Sequence, residues 1–148
     1  MAIYKKILVA VDLHPEHDDK TLARAKEFAQ VGNSSISVVH AVEEINAYGA
    51  TQGYEIVLDV QEKLAREANA NLSTLASKYG LTAEQQIIET GPPKHVIINH
   101  AKKLNADLII VGSHGRHGLD FLFGTTADDV THDAPCDVLV VKVGEASD

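Results

Sequence analysis

One cysteine, one methionine and no tryptophan stand in 148 residues. A lone Cys136 has no partner for an internal disulfide and cannot build a thiolate metal cluster within one chain. Disulfide scaffolds and zinc fingers are therefore excluded, and a reducing compartment is expected. No apolar run approaches the roughly 20 residues of a bilayer-spanning helix, so no membrane partner is expected. Lys5 and Lys6 precede only a short apolar run that ends at Asp12, which is too short for a secretory leader and leaves the cytoplasm as the expected location. Positive charge is also scarce: 13 Lys and Arg face 21 Asp and Glu, a net charge of −8 that argues against a nucleic-acid partner. A small anion is still admissible. Charges beyond roughly 8 Å are largely screened, so donors in contact with the ligand decide.

What is present is an alternation. Short β-branched runs at Tyr4 to Asp12, Ser35 to Val42, Gln86 to Ile88, Asp107 to Val111 and Cys136 to Val143 read as strands. Between them lie amphipathic stretches: Asp18 to Gln30, with Leu22, Ala25, Phe28 and Ala29 at helical spacing, and Tyr54 to Tyr79, with a stripe from Val57 to Tyr79. A third helix opens at Pro92 and Pro93, where a missing amide costs little, and a short fourth runs from Thr125 to His132. Strict strand–helix alternation predicts one α/β domain over residues 1–148, a five-stranded parallel doubly wound sheet with helices on both faces; with the first strand central and the fourth beside it, the order 3-2-1-4-5 is expected. Ligands of such sheets sit beyond the carboxyl ends of the strands where the order reverses, which places Asp12 and Gly112 at one crevice.

The stretch GSHGRHGLDFLFGTT, Gly112 to Thr126, follows the fourth strand. Gly112, Gly115 and Gly118 permit a loop of inward-pointing amides with close backbone approach to a ligand. Gly124, Thr125 and Thr126 open a helix, whose free N–H groups and partial positive charge suit a phosphate. Arg116, and His114 or His117 if protonated, would add charge. The competing reading is a plain surface loop. Three other nucleotide or phosphorylation motifs fail: no lysine follows Gly124 as a Walker loop needs, the first turn Asp12-Leu13-His14-Pro15 lacks the Rossmann glycines, and the acid pair and Lys of a receiver domain are missing.

The start KKILVAVD, the stretch VVHAV around His40, the GPP at Gly91 to Pro93, the block ADLIIVGSHGRHG and the ending APCDVLVVKV together resemble the universal stress protein family over nearly the whole chain. The resemblance implies a five-stranded α/β fold, usually a cytoplasmic homodimer, in which many members bind ATP and others do not. The ATP-binding pattern is Gly-x-x-Gly, nine residues, then Gly-Ser or Gly-Thr. Gly112 and Gly115 match its first pair, and Gly124 with Thr125 its last, across a spacer of eight residues, one fewer than usual. By the same resemblance Asp12 would accept hydrogen bonds from the nucleoside and the Ala41 backbone would meet adenine, while His14 stands where the family often has serine. ATP is the expected cofactor, with Mg²⁺ accompanying it through the nucleotide.

Other residues carry weaker signals. Asp12 is alternatively a helix cap, the common role of an acid at a strand-to-helix turn. His14, His17, His114 and His117 belong to loops near the crevice, but without carboxylates at ligand spacing they read as solvated residues and not as a metal site. His40 is expected to point elsewhere, into the core or a strand end. Cys136 reads as a small buried hydrophobe. No nucleophile elbow or Ser-His-Asp order can be assembled, and without a Walker lysine or water-positioning base any ATP hydrolysis would be slow. The last strand, Val138 to Val143, is an apolar edge and predicts a symmetric homodimer; further protein partners are unspecified.

Overall fold

The computed structural model describes residues 3–45, 53–113 and 125–143. Five strands, β1 (Lys6–Ala10), β2 (Ser35–Val42), β3 (Gln86–Thr90), β4 (Leu108–Ser113) and β5 (Asp137–Lys142), form one parallel sheet of order β3-β2-β1-β4-β5. Among the described residues the α-helices are α1 (Pro15–Gly32), α2 (Tyr54–Lys78), α3 (Pro93–Leu104) and α4 (Thr125–Asp133). The expected order and direction of the sheet are those observed.

The period-2 alternation of strands assigns each residue to a face. Ile7, Val9, Leu108 and Ile110 join Leu22, Ala25, Leu72 and Leu75 in one core beneath α1 and α2. Leu8, Ile109 and Val111 join Val96, Ile97, Ala101 and Val130 in the other, beneath α3 and α4. Leu8, Val9, Ile109 and Ile110 are fully enclosed because central parallel strands are covered on both sides.

Helix ends follow local chemistry. α1 starts three residues earlier than its apolar stripe suggests, since Pro15 supplies a preset φ at its first position and His14 takes an extended backbone as N-cap. Asn33 and Asn105 close α1 and α3 in the left-handed region, where asparagine is tolerated. At Gly91 φ is +151°, a conformation that only glycine adopts readily, and it turns β3 into the Pro92-Pro93 start of α3. α2 departs from its sequence stripe at its start: Ala68, Leu72 and Leu75 are buried, but Val60 is exposed. A 25-residue helix is roughly 37 Å long and β3, with five residues, only about 17 Å, so the first turns of α2 overrun the sheet. Phe28 likewise leaves the α1 stripe and lies against Tyr4.

Asp107 anchors the sheet at its amino end. Its carboxylate accepts the Lys5 and Lys6 amides at 2.9 to 3.1 Å, fixing the start of β1 against that of β4. No helix among the described residues is long and apolar enough to cross a membrane.

Candidate functional site

β1 and β4 are neighbours whose following helices, α1 and α4, pack on opposite faces of the sheet, so their carboxyl ends splay into a crevice at the point where strand order reverses. Asp12, Ala41, Gly112 and Thr126 all line it. These are four of the eight residues that the sequence nominates. Thr125 is the first residue of α4; its side chain, together with Gly115, Arg116, Gly124, His114, His117 and the eight-residue spacer, lies outside the described residues.

The wall nearest β1 is built by the turn into α1. Leu13 adopts φ 63°, a left-handed conformation that costs a non-glycine residue roughly 1 kcal/mol. That turn directs the His14 N–H to Asp12 Oδ1 at 2.9 Å. His17 Nδ1 lies 3.2 Å from Asp12 Oδ2, and its ring stacks on that of His14 with centroids 4.0 Å apart. Asp12 therefore does support the helix start, by accepting the amide of the N-cap residue, and it also lines the crevice. Burial acts to raise its carboxyl, but the His14 amide, the His17 ring and the contact with Asp18 outweigh that and hold it below the usual carboxylate range.

Asp18 behaves oppositely. Its Oδ1 accepts the Asp12 N–H at 3.2 Å, and its Oδ2 is buried with no hydrogen-bond partner among the described residues. Burial first, and the neighbouring Asp12 charge second, push this acid up to about 8. Thr21 completes the wall and donates its hydroxyl to the His17 carbonyl at 3.0 Å.

Gly112 is required for close packing. A Cβ there would sit 3.1 Å from Thr21 Oγ1 and 3.2 Å from a Val143 methyl, so the bare backbone lets α1 and the end of β5 close on β4 beside the crevice. The expectation that His40 points elsewhere is corrected. It lines the crevice, and its Nδ1 donates to the Val11 carbonyl at 2.9 Å, which leaves Nε2 as the acceptor of the neutral ring. β2 pairs with β1 to Ala10↔Val39, so the next residue, His40, clears the shorter strand and can turn back over it.

Sequence reading also missed Asp18 and Thr21. The available signal was position: Asp18 precedes Leu22 by four residues on the stripe that continues through Ala25 and Ala29, so it had to be buried. Among the described residues no group of three or more His, Cys, Asp or Glu is gathered as metal ligands. Cys136 is half-buried at the head of β5, where burial raises its thiol and removes thiolate character.

A doubly wound parallel sheet with a crevice at its switch point defines the class of α/β protein to which this fold belongs. Residues 3–142 match the model of the Universal stress protein family, and the chain belongs to that family. It is 42% identical to Universal stress protein A homolog 2 of Coxiella burnetii over 140 residues, covering 95% of this chain and 96% of that one. Among solved structures it resembles universal stress protein UspA from Lactobacillus plantarum, with a TM-score of 0.78, 25% identity and coverage of 95% and 99% of the two chains. A universal stress protein in complex with cAMP shares the fold at a TM-score of 0.61 and 23% identity, over 93% of this chain and 96% of the other.

Proposed function

We propose that this universal stress protein binds ATP in the β1–β4 crevice and uses occupancy as a signal, acting as a cytoplasmic homodimer. The observation that carries the reading is convergence: residues from four separate stretches, Asp12, Ala41, Gly112 and Thr126, were nominated as nucleotide contacts and line one crevice. Asp12, held ionised, offers carboxylate oxygens to ribose hydroxyls. The strand end at Ala41 offers backbone groups to a base edge. Gly112 opens the Gly-x-x-Gly pattern that continues to Gly115, and Gly124, Thr125 and Thr126 place amides and hydroxyls at the start of α4 for the phosphates, with Arg116 as an additional cation. Mg²⁺ would enter bound to the phosphates. A universal stress protein of this fold has been solved in complex with cAMP, which supports a nucleotide as the ligand class.

Calorimetric titration of the purified chain with ATP and Mg²⁺ tests the proposal. Saturable heat that is abolished by replacing Gly115 with a bulky residue is expected; a folded chain giving no heat at millimolar ATP would refute it and favour a nucleotide-free interaction module of the same fold. Turnover assayed alongside is expected to be slow, since the chain offers no Walker lysine.

A further inference from the structure

Asp18 is the crevice residue whose presence the packing of α1 does not account for. It occupies the sheet-facing stripe ahead of Leu22, where an amphipathic helix ordinarily places an apolar side chain, and only 2% of it is exposed. Its oxygens are treated unequally: Oδ1 accepts the Asp12 N–H, while the enclosed Oδ2 has no hydrogen-bond partner among the described residues. A bare carboxylate oxygen so enclosed is strongly disfavoured, and binding a proton removes its charge and converts an orphan acceptor into a donor. Because Oδ1 is already an acceptor, the proton belongs on Oδ2.

We propose that Asp18 is a neutral carboxylic acid in the native chain and serves the crevice as a proton-carrying positioning residue, whose ionisation weakens the binding of an anionic nucleotide. The ligand half of this statement rests on the nucleotide reading above; the proton half does not.

The groups around Asp18 support the assignment. Asp12 faces it from the turn after β1; His17, from the first turn of α1 and stacked by the N-cap His14, and His40, from β2, line the same crevice. On the α2 side, Tyr79 donates its hydroxyl to Asp19, which is also paired with Lys78 at 2.9 Å. No lysine or arginine among the described residues lines the crevice, and His17 is engaged by Asp12. Among the described residues the charge acting on Asp18 is the Asp12 carboxylate. Burial and that charge together push Asp18 up to about 8, while Asp12 is held low, so at neutral pH the pair retains one proton. When Asp18 ionises, a second negative charge enters a poorly solvated wall of the crevice that the nucleotide is proposed to occupy. At separations of several ångströms that repulsion corresponds to about tenfold in affinity.

Carbon-13 carboxyl NMR of the unliganded chain from pH 4 to 10 tests the proton. One aspartate carboxyl is expected to titrate near pH 8 and to vanish in Asp18→Asn; if every aspartate carboxyl has titrated by pH 5, the proposal is overturned. This measurement on the native chain stands whether or not the variant folds. The ligand half is read from ATP affinity at pH 7.2 and 9.0, above the phosphate's own ionisation. An approximately fivefold loss is expected in the native chain, since an acid titrating near 8 goes from about one-seventh to about nine-tenths ionised over that interval, and none in Asp18→Asn. Equal affinities at the two pH values in the native chain would remove the positioning role. Absence of ATP binding at both would refute the nucleotide reading and the positioning role together, leaving the carboxyl titration to decide the proton alone.

Discussion

At the scale of single residues, the crevice is shaped by side chains that are absent as much as by those present. Gly112 illustrates this: its missing Cβ makes room for Thr21 and Val143, both of which line the same crevice. Adding one methyl group, Gly112→Ala, forces the Thr21 hydroxyl or the Val143 side chain aside by a few tenths of an ångström. Overpacking of this kind typically costs about 1–3 kcal/mol, so urea denaturation is expected to give a lower midpoint with an unchanged slope. A midpoint equal to that of the native chain would mean that Gly112 is dictated by the loop that follows it and not by packing. The place of Gly112 at the crevice was legible in the sequence, but its packing against Thr21 and Val143 was not. Asp12 and Gly112 were placed at one crevice from strand order alone, whereas His40 was not. Its ring turns back to Val11 only because β2 outruns β1, a difference in strand length that composition does not display.

At the scale of elements, β5 is the informative one. It has a single neighbour, β4, and its other edge is covered by no strand among the described residues. Val140, in register with Val111, is 43% exposed. An apolar, unpaired edge is a template for symmetric addition of another copy, the route proposed here to the homodimer. Light scattering at micromolar concentration is expected to return twice the 15.9 kDa chain mass, and Val140→Lys to shift it toward that mass without altering the circular dichroism. A native chain that scatters as 15.9 kDa would reject edge pairing. Helix α2 marks the limit of periodicity as a guide. Its stripe was read correctly as apolar, yet the sheet beneath is too short to cover it, and burial begins in earnest only at Ala68.

At the scale of the whole molecule, Asp18 ties global stability to pH. A carboxyl raised from its ordinary value near 3.8 to about 8 binds its proton more tightly in the folded chain than in the unfolded one. Its contribution is complete below about pH 4, declines as the unfolded acid ionises, and is lost as pH rises through 8. Asp18→Asn, which cannot ionise, removes that slope. The melting temperature of the variant relative to the native chain is therefore expected to rise by at least ~4 °C between pH 5 and pH 8. A difference that stays constant over that interval would show that Asp18 is ionised in the folded state. The opposite dependence belongs to Asp12, whose lowered carboxyl stabilises the fold above its unfolded value and loses that effect on acidification.

The sequence by itself determined the alternation of elements and the parallel sheet, because both follow from local periodicity and from the few ways in which strands joined by helices can pack. The order β3-β2-β1-β4-β5, and with it the crevice at the β1–β4 switch, is not fixed by alternation, which also builds sheets of order 2-1-3-4-5. Family membership was legible in the same way, from short motifs in a fixed order. Only the tertiary structure decided which polar groups share an enclosed space: that Asp18 lies under the Asp12 amide with one oxygen unpartnered, and that His40 closes over Val11. The reason is physical. Secondary structure is set by neighbours along the chain, but the charge state of an acid is set by the groups that folding brings around it and the water it excludes.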